Sequence, residues 1–113
     1  MHHHAIIVAG TQREAEQWAE AVFHGLITHQ GVRAQHFRTS GQYQVFDPET
    51  GQLVVVDYTS APNAVRNLRG RLPDEIIIAG DYLRWFLARG SMHALWQIVR
   101  MTQARSGAVV SWW

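Results

Sequence analysis

Apolar residues along this chain fall into short runs separated by one long helical stripe, and their order predicts strands alternating with helices. Ala5 to Ala9 is continuous apolar sequence, the pattern of a strand buried on both faces. Gly10 ends it, and Thr11 with Glu14 three residues later forms a capping box that opens a helix. In that helix Ala15, Trp18, Ala19, Val22, Phe23, Leu26 and Ile27 recur at the spacing of one core-facing side. Gly31 is suited to its C-terminal cap. Val32 to Phe37 predicts a second strand. Tyr43 to Phe46 and Leu53 to Tyr58 predict a hairpin about Asp47-Pro48-Glu49-Thr50-Gly51, with Pro48 early in the turn and Gly51 at a left-handed exit.

The second half repeats the alternation. Ser60 is placed to cap a short helix with Pro62 in its first turn and Ala61, Val65 and Leu68 inward, closed by Gly70 and Pro73. Glu75 to Ala79 reads as another buried strand. Asp81 opens a helix over 82–89 that Gly90 breaks. Ser91 caps a further one to about Arg105, with Met92, Leu95, Ile98 and Val99 inward. Ala108 to Trp113 reads as a last strand. The expected fold is an α/β three-layer, Rossmann-like sandwich: a mainly parallel sheet with one antiparallel hairpin, covered on both faces. No internal repeat or linker divides the chain, so residues 1–113 form one domain, with His2, His3 and His4 as a terminal tract outside the first strand that need not be ordered.

Composition narrows the chemistry. At 113 residues, 47% of them hydrophobic and 17% charged, the chain can bury a core and is not a disordered sequence. It has no cysteine, which excludes disulfides, thiol catalysis and cysteine metal sites. All ten basic residues are arginine, so the lysine of a Schiff base or of a Walker A loop is missing. A net charge of +1 gives no long-range pull towards nucleic acid or an anionic membrane. No apolar run nears the ~20 residues that span a bilayer, and no signal-peptide pattern follows Met1; a cytoplasmic protein is expected. His24 and His29 are five apart and fall on different helix faces, and His36 and His93 stand alone, so no metal site is expected.

In an open parallel sheet ligands collect where strands end and helices begin. Three such turns can be read: Gly10-Thr11-Gln12, Asp57 to Ser60, and Gly80-Asp81. Gly10 and Thr11 could offer helix N-terminal amides to an anion, Ser60 a hydroxyl, and Asp57 or Asp81 a carboxylate for a metal ion or a ribose. The same residue types are what ordinary caps and turns prefer.

Two segments carry a resemblance. Ile6 to Glu20, IIVAGTQREAEQWAE, resembles the helicase segment that follows the first nucleotide loop. Gly51 to Tyr82, with Arg69-Gly70-Arg71-Leu72-Pro73-Asp74 ahead of Ile76-Ile77-Ile78, is similar to the stretch of phage terminase large subunits leading into the Walker B strand. The resemblance implies a nucleoside-triphosphatase scaffold, with a nucleotide and magnesium as its only suggested cofactors. The departures imply a scaffold without hydrolase parts. Nothing before Ala5 can supply a phosphate loop, and the acidic pair after the Walker B strand falls on Ala79 and Gly80, with Asp81 late. ATP turnover is therefore not expected.

Two surfaces remain. Arg66, Arg69 and Arg71 cluster about one short helix and could track phosphates, although Asp74, Glu75 and Asp81 lie nearby. Five tryptophans are many for this length, and Trp85, Trp96, Trp112 and Trp113 fall in the last third. So small a core cannot house them all easily. The expected work is binding: contact with a protein partner or self-association, with Trp85, Trp112 and Trp113 as anchors and Arg84 and Arg89 as a polar rim. The alternative is a nucleic-acid or nucleotide-binding module that uses Arg66, Arg69 and Arg71 with the Gly10/Thr11 helix start.

Overall fold

A computed structural model describes residues 2–30, 35–39, 41–80 and 93–113, with only the backbone of 29, 30, 35–39 and 93. The elements are β1 (His2–Ala9), α1 (Gln12–Gln30), β2 (Gln35–Thr39), β3 (Gln42–Asp47), β4 (Gln52–Ser60), α2 (Ala61–Asn67), β5 (Glu75–Ile78), α3 (His93–Ser106) and β6 (Val109–Trp112). The six strands form one sheet in the order β2-β3-β4-β1-β5-β6. β1 runs parallel to both β4 and β5, and β6 runs parallel to β5. The expected hairpin, β3–β4, is antiparallel and extends through β2 into a three-strand meander.

Period-two alternation along β1 explains the layering. Ala5, Ile7 and Ala9 face one side with Ala15, Ala19 and Phe23 of α1. Ile6 and Val8 face the other with Ala61, Ala64 and Leu68 of the α2 segment and Leu95, Ile98 and Val99 of α3. On the α1 side Phe23 stacks on Tyr43 (4.9 Å), which stacks on Tyr58 (5.6 Å). The Tyr58 hydroxyl accepts a hydrogen bond from the Gly41 N–H (3.0 Å), tying the β2–β3 turn to the end of β4.

The hairpin turn is as expected: Gly51 adopts φ +73°, and its N–H reaches the Asp47 carbonyl (2.8 Å). Three expectations are corrected. His2–His4 are not a loose tract, because they extend β1 along Leu53–Val55 of β4, and the His4 and Asp74 backbones bracket each other. Ser60 stands at the start of α2 in extended conformation, but its hydroxyl makes no capping hydrogen bond. Trp18 is half-exposed, because the small residues Ala15 and Ala19 carry α1 onto the sheet and leave Trp18 on the stripe's flank. Gly31, Val32, Asp81 and the helix expected over 82–89, with Trp85, Arg84 and Arg89, lie outside the described residues.

Because Ile7 has no solvent exposure between β4, β5 and α1, Ile7→Ala should cost about 2–5 kcal/mol in urea denaturation. Leu72→Ala, at a side chain 65% exposed, should change stability by less than about 0.5 kcal/mol.

Candidate functional site

The helical layer of α2 and α3 covers β1, β5 and β6 but leaves the same face of β3 and β4 open, and the polar residues of the sheet gather there. Alternation puts Asp57 of β4 on this face, in register with Ile6 of β1 on one side and Gln42 of β3 on the other. Its carboxylate accepts hydrogen bonds from His4 Nε2, from Gln42 Nε2 (2.8 Å) and from Arg71 Nη1 (3.1 Å). An ionised carboxylate only accepts, so His4 carries its proton on Nε2. Gln44 Nε2 donates to Gln42 Oε1 (2.6 Å) and fixes which way the Gln42 amide points.

Two backbone features bring the far partners in. Gly70 at φ +72° turns the chain back after α2, so that Arg71 returns to the sheet. Asp74 holds the His4 backbone at both its N–H and its carbonyl (2.8 Å each), so the imidazole beside Asp57 rests on a fixed strand. With its side chain only 14% exposed, Asp57 loses solvation, which by itself raises its pKa. The hydrogen bonds from His4 and Gln42 and the attraction of His4 and Arg71 outweigh that loss, and the carboxyl lies below the ordinary carboxylate value.

A pocket of 330 Å³ opens beside this cluster at the carboxyl ends of β1 and β4. Gln12, Thr59, Asn67 and Arg71 contribute polar walls, and Ile6 an apolar one. Asn67 Nδ2 donates to Thr59 Oγ1 (2.8 Å), and Gln12 Oε1 accepts the Ser60 N–H (3.1 Å). The second contact ties together the two chain exits, from β1 towards α1 and from β4 towards α2. The volume is at the small end of ligand sites.

The candidates read from sequence scatter. Asp57 is central to the cluster, but its oxygens are engaged by three donors rather than open to a cation, and no cluster of three metal-ligating side chains occurs among the described residues. Thr11 caps α1 through its hydroxyl (3.2 Å to the Glu14 N–H). The Glu14 carboxylate lies so close over Gly10 that an added Cβ there would meet it at 3.0 Å, which puts a negative charge at the proposed anion seat. Arg71 is drawn to Asp57, whereas Arg66 and Arg69 are exposed and line a separate hollow on α2 with Asn63. Ser60 contributes its backbone N–H alone. Trp112 and Trp113 flank the sheet's outer strand, and Asp81 lies outside the described residues.

Sequence reasoning missed His4, Gln12, Gln42 and Asn67. The alternation Gln42-Tyr43-Gln44-Val45 does place two amides on one strand face, a signal that was legible. Nothing local marks His4, which precedes the apolar run.

No protein-family model matches this chain, and no curated protein matches its sequence. Among solved structures it is similar to the large terminase ATPase domain of Thermus phage P74-26, with a TM-score of 0.65 and 14% identity over 97% of this chain. It is similar also to the large terminase of a second thermophilic bacteriophage, with a TM-score of 0.61 and 11% identity over 98% of this chain. The chain spans 46% and 26% of those two chains. At such identity the likeness is one of fold, and it agrees with the terminase-like order of segments read from the sequence.

Because the Asp57 carboxyl is depressed, its contribution to stability is complete above the ordinary carboxylate pKa, ~3.9, and is lost as pH falls through the lower folded value. Asp57→Asn should therefore destabilise by about 1–3 kcal/mol at neutral pH. The gap to wild type should close in strong acid, as read from urea melts across pH.

Proposed function

We propose that this chain is a terminase-ATPase-like scaffold whose work is binding rather than hydrolysis, and that it binds protein through the tryptophan-lined outer edge of its sheet. The observation that carries this reading is the surroundings of β6. Trp112 and Trp113, 38% and 37% exposed, project to opposite faces of the last strand. Each meets an indole of the flanking helix layer: Trp113 lies 5.7 Å from Trp18 of α1, and Trp112 lies 6.2 Å from Trp96 of α3. Val109, 63% exposed, adds apolar surface on the same strand. Half-exposed indoles with well-defined positions present large contact area at little entropic cost, which is why tryptophan dominates binding energy at interfaces. Arg100 stacks over Trp96 and offers a cationic rim beside them.

The absence of hydrolysis rests on Ala79 and Gly80, which occupy the positions after β5 where the resemblance calls for acids. Ala79 is buried, and its N–H is bonded to the Val8 carbonyl (2.8 Å). A second reading, a module for nucleotides or nucleic acid, draws on the pocket beside Asp57 and on the exposed Arg66 and Arg69.

Trp112→Ala/Trp113→Ala should fold normally and lose whatever assembly the wild type makes, as measured by size-exclusion chromatography with light scattering. Shielding of these indoles from an aqueous quencher in the monomer would contradict a contact role. Nucleotide with magnesium should leave the melting temperature unchanged on the first reading; a rise would favour the second. Retention on DNA that falls steeply with salt would do the same.

A further inference from the structure

The backbone of β6 has a defined open side. Val109 N–H donates to the Asp74 carbonyl (3.0 Å), Trp113 N–H to the Ile78 carbonyl (2.9 Å), and the Trp113 carbonyl accepts from Gly80 N–H (2.9 Å). Ser111, paired with Ile77, takes the same orientation in the regular ladder. Alternation therefore turns the N–H and C=O groups of Val110 and Trp112 away from β5, and among the described residues no strand lies beyond β6. Natural edges are commonly blunted by charge or proline. Residues 107–113, Gly-Ala-Val-Val-Ser-Trp-Trp, contain neither.

Resting on the reading of this edge as a contact surface, we propose that its partner is a second copy of the chain, paired β6 to β6 in antiparallel fashion about a two-fold axis through Ser111. The sequence is self-complementary in that register. A two-fold perpendicular to the sheet keeps each face on its own side, so facing residues must share a face. Centred on Ser111, the pairing sets Val109 opposite the second copy's Trp113 on the α1 side, and Val110 opposite its Trp112 on the α3 side. Every valine meets a tryptophan, the aromatic–β-branched combination favoured across strands. The groups left free, those of Val110 and Trp112, fall in the hydrogen-bonded pairs, while Ser111 meets Ser111 in a non-hydrogen-bonded pair. Moving the axis to Val110 or Trp112 would leave Trp113 or Val109 without a partner on the strand, and would put like residues face to face.

Charge permits this approach, because no ionisable side chain in residues 107–113 would be brought against its own copy. Ser111 Oγ is bonded to Glu75 Oε2 within one copy (2.8 Å), which keeps that carboxylate occupied on β5. One strand pair with four valine–tryptophan contacts buries less than the ~1,200 Å² typical of stable complexes. The assembly is thus a weak, concentration-dependent dimer.

The chain has no cysteine, so Ser111→Cys introduces a single thiol on the axis. Facing Cα atoms of a non-hydrogen-bonded pair, ~4.5 Å apart, lie within disulfide reach. Mild oxidation of Ser111→Cys at millimolar concentration should give a covalent dimer, with light scattering showing reversible dimerisation of wild type. Val110→Pro removes only an outward N–H and should retain the fold by circular dichroism, while weakening dimerisation about tenfold or more. A wild type that stays monomeric at millimolar concentration overturns the proposal, as does a dimer that neither cross-links through position 111 nor responds to Val110→Pro. In either case the broader contact reading stands or falls separately, on quencher access to the indoles and on the double tryptophan variant.

Discussion

The parallel pairing of β1 with β4 on one side and β5 on the other is the constraint on which the rest of the structure depends. A strand with Ala5, Ile7 and Ala9 on one face and Ile6 and Val8 on the other cannot leave either face to water. Helices must cover both, and the parallel connections from β1 and β4 supply them, α1 to one face and α2 to the other. The length of α1 lets it lie over β1, β3 and β4 together. The short α2 and the angled return at Gly70 do not reach that far on the second face. Where their cover stops, the sheet changes from Ile6 and Val8 to Asp57, Gln42 and Gln44. The polar cluster is thus a consequence of incomplete layering, and its members satisfy one another in place of a helix.

The strands were legible because their apolar runs are short, β-branched and bounded by glycine, and α1 because its stripe is long. The hairpin was legible because Pro48 and Gly51 each suit one turn position. What local pattern does not carry is partnership across distance. Asp57 looked like a turn residue with a free carboxylate, and only the register of three strands shows it held by His4, Gln42 and Arg71. Thr11 and Ser60 looked alike as caps, yet Thr11 caps through its hydroxyl while Ser60 contributes a backbone N–H to Gln12. Three arginines close in sequence separate in space, because Gly70 reverses the chain between Arg69 and Arg71.

The sheet ends in two different ways. Towards β2 it finishes in an antiparallel meander anchored by Tyr43 and Tyr58 from the α1 side. Towards β6 it finishes in a short parallel strand with an indole on each face, each resting on a second indole from a helix. In the proposed reading the terminase-like scaffold has kept its sheet and layers, while the positions after β5 have become Ala79 and Gly80. What such a scaffold offers a partner is an edge whose side chains are apolar and whose backbone is unpaired.

Amide hydrogen exchange, resolved by residue along β6 in dilute monomeric protein, tests that claim most directly. Val109, Ser111 and Trp113, bonded inward to β5, should exchange slowly, while Val110 and Trp112 between them exchange rapidly. Equal protection at all five amides would mean that this border of the sheet is already closed, and would contradict an open edge.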